Sequence, residues 1–422
     1  MASQPAGGLV EPKSKPNPMP WPSLAPPAGP RQEQGHRASE EPGDQRAADG
    51  WPSDGRPTVA IAHDYLTQRG GAERVVLALL RAFPGAPVYT TLYDPDRTYP
   101  EFRDATVVVS PLNRIGLLRR NHRAALPFLP LAAHSMRIPY DIVVSSSSGW
   151  AHGFRAAGRT VVYSHAPARW LYQSEAYLGG KPTRSPKGLL LLSLRPWLRR
   201  WDRRAARRAD RYLANSSVVR ERIRLAYGID APVVFPPHSV DTTAPQAAVH
   251  EVADWAAGGY YLVVSRLLPY KNVHHAVAAF RGLDERLVVV GAGPMGDTIR
   301  AQLPENVRLV SGLDDAQMRW AYAHATALVA PSLEDFGLTP LEAGAFGKPT
   351  LALRGGGYLD TVVEGVNGAF FEEPTAEAIR TAVVENEAQA WDSDAIRRRT
   401  DAFSEEHFRR RLRDETAALW ES

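Results

Sequence analysis

The sequence predicts an α/β chain built from two tandem doubly wound domains, and three observations carry that expectation. From Thr58 onward, short β-branched runs alternate with helical periods, the texture of parallel sheets covered by helices. The alternation stops across a polar, alanine-rich stretch from Ser239 to Gly259 and then resumes. A length of 422 residues suits two medium cores better than one.

The elements follow in order. Met1 to Arg56 mixes prolines with Gly, Ser, Gln and charges and shows no hydrophobic period, so it is expected to be a disordered tail. The first domain, residues 57–240, has candidate strands at Thr58 to His63, Val88 to Leu92, Asp141 to Ser145, Thr160 to Ser164, Tyr212 to Asn215 and Val233 to Phe235. A helix from Ala72 should bury Val75, Val76, Leu79, Leu80 and Phe83. Ser239 to Gly259 reads as an interdomain linker. The second domain, residues 258–395, has candidate strands at Tyr260 to Ser265, Arg286 to Val290, Val307 to Val310, Thr326 to Ala330 and Thr350 to Leu353. The last segment, 396–422, carries an N-cap serine, Ser404, followed by helical spacing of Phe408, Leu412 and Leu419. Two such domains with strand ends facing each other place a ligand in the cleft between them.

Composition narrows the function classes. The chain is 44% hydrophobic and 23% charged, and no run approaches the roughly 18 apolar residues of a spanning helix; the longest apolar patch lies around Gly188 to Leu194. There are no cysteines, which excludes disulfides and thiolate metal sites. Lys13 and Lys15 are followed by prolines and not by an apolar core, so no secretory signal is expected and the cytoplasm is the expected compartment. The net charge is +4, with the arginines clustered locally, which suits an anionic ligand or an acidic membrane surface. No zinc-finger spacing, aromatic RNA signature or helix-turn-helix pattern points to nucleic acid.

The motif with most chemistry is Glu334-Asp335-Phe336-Gly337-Leu338-Thr339-Pro340-Leu341-Glu342. It follows a strand and opens a helix, so the amides near Phe336, Gly337, Leu338 and Thr339 can offer free N–H groups to a phosphate. On its own the stretch could equally be a solvated helix start with two surface acids. Arg266, closing the first strand of its domain, and Lys271, after the Pro269 turn, both fall at the strand ends where α/β sheets bind ligands. A guanidinium fork and an ammonium suit a diphosphate, although either could be an ordinary surface charge.

With these residues in order, the chain resembles the retaining glycosyltransferases of family four from about Val59 to Phe408. The resemblance is carried by His63-Asp64-Tyr65-Leu66, Gly70-Gly71-Ala72-Glu73, Ser164-His165-Ala166-Pro167, Ala214-Asn215-Ser216, the Arg266 and Lys271 pair, Val290-Gly291-Ala292-Gly293-Pro294, the spaced glutamates, Gly355-Gly356-Gly357 and Glu364-Gly365. It implies a GT-B fold of two Rossmann-like domains, a C-terminal helix crossing back to the first, and metal-independent transfer with retention. No cofactor is implied beyond a nucleoside diphosphate sugar as donor. By the resemblance, Arg266 and Lys271 neutralise the diphosphate, Glu342 binds the ribose, Glu334 contacts the transferred sugar, and His165 positions substrate or stabilises charge. Gly70 and Gly71 suit the opposite wall, where a backbone without side chains can approach phosphates; a plain tight turn is the alternative. The residues around Tyr65 to Glu73 and the Gly355 loop most resemble members that build cell-surface polysaccharides, often from GDP-mannose. A UDP-hexose remains an open alternative, and the acceptor is expected to be a glycan or a lipid-linked sugar.

Two stretches imitate other chemistries. Gly291-Ala292-Gly293-Pro294-Met295-Gly296 matches a dinucleotide fingerprint and supports a nicotinamide-dependent oxidoreductase as the runner-up. It follows the second strand of its domain instead of the first, and Pro294 stiffens it. Asp94-Pro95-Asp96 resembles an acidic metal motif but reads as a turn. A GT-B-fold binding protein without catalysis is a third class, disfavoured by the presence of Lys271 and Glu334.

Arg195 to Arg211 holds eight arginines in seventeen residues, with Leu198, Trp201, Ala205, Ala209 and Tyr212 expected on one helical face. Leu112 to Leu131 repeats the mixture, with Ile115, Leu117, Leu118, Phe128 and Leu129 among Arg114, Arg119, Arg120 and Arg123. Each could be a packed helix with a solvated basic face, or a contact for an anionic membrane surface.

Overall fold

Val59–His63 is a run without formal charge apart from its terminal histidine, and as strand β1 all five of its residues are buried, as a parallel strand covered on both faces requires. The computed structural model describes residues 57–120, 125, 128–173, 186–238 and 240–422. The expected disordered tail, Met1 to Arg56, lies outside the described residues, as do residues 121–124, 126 and 127 of the Leu112 to Leu131 segment.

The other strands of the first half are β2 (Val88–Thr90), β3 (Val107–Val109), β4 (Arg137–Ile138), β5 (Ile142–Ser147), β6 (Arg155–Ala156), β7 (Arg159–Ser164) and β8 (Arg211–Ala214). The main sheet has the order β3-β2-β1-β5-β7-β8 with all neighbours parallel, and β4 pairs only with β6. The second half supplies β9 (Tyr260–Val264), β10 (Leu287–Val290), β11 (Val307–Val310), β12 (Ala325–Ala330), β13 (Thr350–Leu353) and β14 (Gly368–Phe371), in the parallel order β11-β10-β9-β12-β13-β14. Both sheets reverse their winding at one point, between β1 and β5 and between β9 and β12. The strand ends at such a switch point open a crevice. This is the expected GT-B architecture of two Rossmann-like domains.

Several expectations need correction. Val233 to Phe235 is no full strand: Val233 makes a single bridge to Ala214, because Pro232, Pro236 and Pro237 have no N–H with which to extend a ladder. Strands β3, β4, β6 and β14 are short and escaped the sequence reading. The linker is shorter than Ser239 to Gly259, because Val249, Val252 and Trp255 are buried with Tyr260 and Leu262 in the second domain. The basic helix spans Pro186–Ala206 and stops before Tyr212, which lies on β8. It also carries Asp202 into the interior, where its carboxylate meets His152 Nε2 at 3.0 Å and accepts the Tyr172 hydroxyl at 2.8 Å. Along the helix Gly71–Ala82, Leu80 is only partly buried while Val75, Val76 and Leu79 are buried.

The crossover begins later than residue 396. The helix Ser393–Asp401 stays with the second domain, where Thr400 and Ile396 lie against Gly344. The chain then returns as the helix Glu405–Glu421, capped by the Ser404 hydroxyl. Its Phe408 and Leu412 enter the core of the first domain beside Val75 and Leu79. Arg413 Nε donates to Ala82 O at 2.8 Å, and Arg81 grips Glu405 with two bonds of 2.5 and 2.6 Å. Phe235, Phe336 and Phe403 pack together where the two connections run side by side.

Candidate active site

The two switch points build the walls of one cleft of about 520 Å³. Gly71, His165, Arg266, Lys271, Glu334, Phe336, Gly337, Leu338 and Thr339 line it, whereas Gly70 and Glu342 are not among its lining residues.

On the C-terminal wall, β9 ends at Val264 and the chain passes Ser265 and Arg266 before the turn Pro269–Lys271. Arg266 is exposed and makes no ion pair among the described residues. Asn272 adopts a left-handed backbone with φ of 56°, and its amide Nδ2 donates to Pro331 O at 3.0 Å. That bond ties the Lys271 turn to the end of β12. The Lys271 ammonium, only 7% exposed, pairs directly with Glu334 Oε1, which also accepts the Ser332 hydroxyl at 2.7 Å. Gly337 has φ of +89° and leaves no room for a Cβ beside Tyr358, 2.5 Å away, so a side chain there would meet both strain and a clash. The helix Thr339–Ala345 follows, and the amides of Gly337, Leu338 and Thr339 have no hydrogen-bond partner among the described residues. Glu342 Oε2 accepts the Tyr322 hydroxyl at 2.6 Å. Burial, with the Glu342 carboxylate adding to it, pushes the Tyr322 phenol far up, so it remains a donor.

On the N-terminal wall, Gly71 sits at the start of its helix with its missing Cβ position 3.5 Å from Leu338, so the two walls nearly touch there. Gly70 answers a different need, since a Cβ on it would lie 2.6 Å from Glu73 Oε2; its lack of a side chain makes room for a buried carboxylate. His165 ends β7, and its Nε2 lies 2.8 Å from Ser146 Oγ. Burial and then the charge of neighbouring His63 hold its pKa down to about 3.

Other residues of the site escaped the sequence reading. Asp64, 2% exposed, accepts the backbone N–H groups of Ser148, Trp150 and Ala151 at 2.5, 2.7 and 2.6 Å, and so fixes the loop after β5. Asp335 reaches across the cleft to Arg169 and to Arg222, the latter at 2.5 Å, and Asp360 accepts Ser217 N at 2.8 Å. His63-Asp64 and Glu334-Asp335 were on view as motif letters, but nothing local says which residues an acid will meet more than 80 positions away.

The imitating motifs are also explained. The Gly291 loop presses on the Arg266 segment: Cβ atoms on Gly291 and Gly293 would come within 1.9 Å of Ser265 O and 2.6 Å of Leu267 O. Ala292 O and Met295 N bond Leu267 N and O at 3.0 Å each, so these glycines brace the arginine. Asp94 to Asp96 is a turn, closed by Arg97 N to Asp94 O at 3.1 Å.

Comparison with known proteins agrees with this geometry. Residues 69–244 match the model of Glycosyltransferase Family 4, and residues 257–396 match that of Glycosyl transferases group 1. A GDP-mannose-dependent alpha-(1-6)-phosphatidylinositol monomannoside mannosyltransferase of Mycolicibacterium smegmatis is 29% identical over 215 residues, which is 45% of this chain and 56% of that protein. A glycogen synthase of Pseudomonas aeruginosa is 35% identical over 136 residues, covering 30% of this chain and 26% of that one. The chain thus spans about half, or less, of the length of these curated relatives. Among solved structures, Anabaena HepE in complex with UDP superposes with a TM-score of 0.61 at 17% identity, covering 86% of this chain and 100% of that one. The sucrose-phosphate synthase of Thermosynechococcus elongatus gives 0.60 at 17% identity, covering 86% and 99%. Two matched family models covering both halves, on a fold shared with these structures, show that the chain belongs to the family-four-like glycosyltransferases of GT-B fold.

Proposed function

We propose that the protein transfers a hexosyl group, mannosyl in our reading, from a nucleoside diphosphate sugar to a glycan or lipid-linked acceptor in cell-surface polysaccharide synthesis, with retention and without a metal. The observation that carries this is the placing of Arg266, Lys271 and the unpaired amides of Gly337 to Thr339 on one wall of the cleft. As the glycosidic bond breaks, the departing diphosphate gains negative charge, so fixed cations and amides there stabilise the transition state more than the ground state. Lys271 has three N–H donors and can hold Glu334 and a phosphate oxygen together. Glu334 then sits beside the transferred sugar, and Glu342, steadied by Tyr322, faces the ribose. His165 and Gly71 close the other wall. The runner-up oxidoreductase loses its site, since the Gly291 loop is occupied in bracing Leu267.

GDP-mannose is favoured by the printed activity of the mycobacterial relative, and the UDP complex of HepE keeps a UDP-sugar as the competing donor. The test is a melting-shift screen of GDP, UDP and their sugars, followed by transfer assays with and without excess chelator. Stabilisation by a nucleoside diphosphate and chelator-resistant transfer are expected. No nucleotide response, or activity restored only by manganese or magnesium, would overturn the reading.

A membrane-facing role for the first domain, at the inner face of the cell membrane, is favoured by a separate observation. Leu112, Leu118 and Leu129 share one apolar cluster with Leu194 and Leu198, so the two basic segments adjoin. Around that cluster Ile115, Leu117, Phe128, Leu131 and Trp197 are half exposed or more. Apolar side chains set among arginines suit an anionic lipid surface. No helix among the described residues is long and apolar enough to cross a membrane.

A further inference from the structure

Behind His165 runs a chain of polar groups that the proposed chemistry does not use. Glu73, 1% exposed, comes from the first turn of the Gly71–Ala82 helix, and its Oε1 lies 4.0 Å from His63 Nε2. Among the described residues Glu73 Oε2 has no hydrogen-bond partner, an unusual state for a buried carboxylate oxygen. His63, also 1% exposed, places Nδ1 3.0 Å from Ser146 O and 3.1 Å from Ser146 Oγ. Ser146 Oγ lies 2.8 Å from His165 Nε2, and His165 lines the cleft.

One arrangement of protons along this chain gives every hydrogen an acceptor. A carbonyl oxygen only accepts, so His63 Nδ1 must carry the hydrogen that faces Ser146 O. The same N–H faces Ser146 Oγ, so the hydroxyl cannot spend its own proton on His63. Ser146 Oγ could also accept an N–H from His165 Nε2, but its own hydrogen would then have no acceptor among the described residues; donation to His165 Nε2 satisfies it, and a neutral His165 then holds its proton on Nδ1. We propose that Glu73, His63 and Ser146 are positioning residues that fix His165 in its Nδ1–H tautomer, so that its free nitrogen acts in the cleft as a hydrogen-bond donor and not as a base. This deepens the transferase reading and rests on it for what the donated hydrogen bond does.

The electrostatics agree. Burial pulls the His63 pKa down, but the nearby Glu73 carboxylate, with smaller contributions from Asp64 and Ser146, brings it above the ordinary value. Besides Glu73, the groups around His63 are Asp64, committed to the loop amides, Ser146 on β5 and His165 on β7. A charged His63 disfavours a second charge on His165, whose other neighbour is the edge-on ring of Tyr163 at 5.4 Å. The arrangement follows the general rule that the tautomer of a working imidazole is set by the bond its other nitrogen makes. It also explains why Gly70 precedes Glu73, since only a residue without Cβ leaves space for the inward carboxylate.

The test is 15N spectroscopy of histidine-labelled, ligand-free full chain, with His63→Gln and His165→Gln spectra for assignment. The expected result is an unprotonated Nε2 and a protonated Nδ1 on His165 across pH 5 to 9. Ser146→Ala, a small change that keeps the fold, should convert His165 to a mixture of tautomers. Glu73→Gln should lower the pH at which His63 titrates and lower kcat about tenfold with little change in KM, and Glu73→Asp should recover part of that loss. A protonated Nε2 in the wild type, or an unchanged His165 in Ser146→Ala, would overturn the proposal. Because the spectra need no substrate, failure here leaves the transferase reading standing, and absence of transfer leaves the tautomer result standing.

Discussion

The two walls of the cleft handle ionisable groups in opposite ways. In the N-terminal wall His63, Asp64 and Glu73 are 2% exposed or less; His63 and Asp64 are held by partners more than 80 residues along the chain, and Glu73 lies 4.0 Å from His63. In the C-terminal wall Arg266 is open to solvent, the Glu334 side chain is 27% exposed, and Lys271 and Glu334 hold each other across the β9 and β12 loops. The difference teaches that the first wall supplies fixed shape and a fixed hydrogen-bond pattern, while the second keeps charge within reach of the cleft, where the proposed function gives it an anionic ligand to meet. Buried polar networks rigidify when fully satisfied; cations at a strand end remain available to a newcomer.

The comparison breaks first if charge on the second wall proves dispensable. Lys271→Ala and Arg266→Ala should each lower turnover about a hundredfold, about 3 kcal/mol of transition-state stabilisation, with circular dichroism unchanged. Glu334→Gln should harm turnover more than nucleotide affinity. Steady-state transfer and nucleoside diphosphate titration on the same variants check this, and wild-type values for both cation variants would remove the diphosphate assignment.

For the first wall the matching loss is structural. Asp64→Ala strands three loop amides and should cost about 3 kcal/mol in urea unfolding, whereas Arg266→Ala should cost almost none. Equal losses in the two variants would erase the contrast between the walls.

A smaller effect separates the two buried histidines by pH. The native His165 ring, held down to about 3, stays neutral while the unfolded ring takes up a proton below 6.5. The unfolded state then binds more protons, so stability falls as pH drops, by roughly 1 kcal/mol between pH 7 and 5.5. His63 works the other way: its raised pKa contributes stability that is present below 6.5 and lost as pH climbs through the native value. Chemical unfolding at several pH values should show the acid-side slope reduced in His165→Gln and the alkaline-side slope reduced in His63→Gln.

An effect of similar size concerns the outer face of the first half. Binding to anionic vesicles should be detectable at low salt and weaken as salt rises. Leu117→Ala and Trp197→Ala should weaken it by about 1 to 2 kcal/mol each without altering nucleotide affinity. Equal binding to neutral and anionic vesicles, or to neither, would reduce both basic segments to solvated faces.

How much was legible in the sequence differs between the same two walls. Strands β9, β11, β12 and β13 could be read, and Arg266, Lys271 and Glu334 could be offered as candidates, because each follows its strand within a few positions. The limits of the reading are instructive: Val249 to Trp255 passed for linker because only packing against Tyr260 and Leu262 shows that they are core. Asp202 was not singled out, because its partners His152 and Tyr172 are distant in the chain.

By itself the sequence determined two α/β domains and the crossover helix from Ser404, and it offered Arg266, Lys271, Glu334 and Glu342 as candidates, since hydrophobic period, capping and loop chemistry act over a few residues. Only the tertiary structure decided that Gly70 serves Glu73, that Asp64 clamps the loop after β5, that Asp335 reaches Arg222, and that the Gly291 loop braces Arg266 instead of binding a dinucleotide. The physical reason is the range of the interactions. A hydrogen bond such as Asp64 to Ser148 spans 84 residues of chain, and its partners are chosen by which strands lie side by side in the sheet.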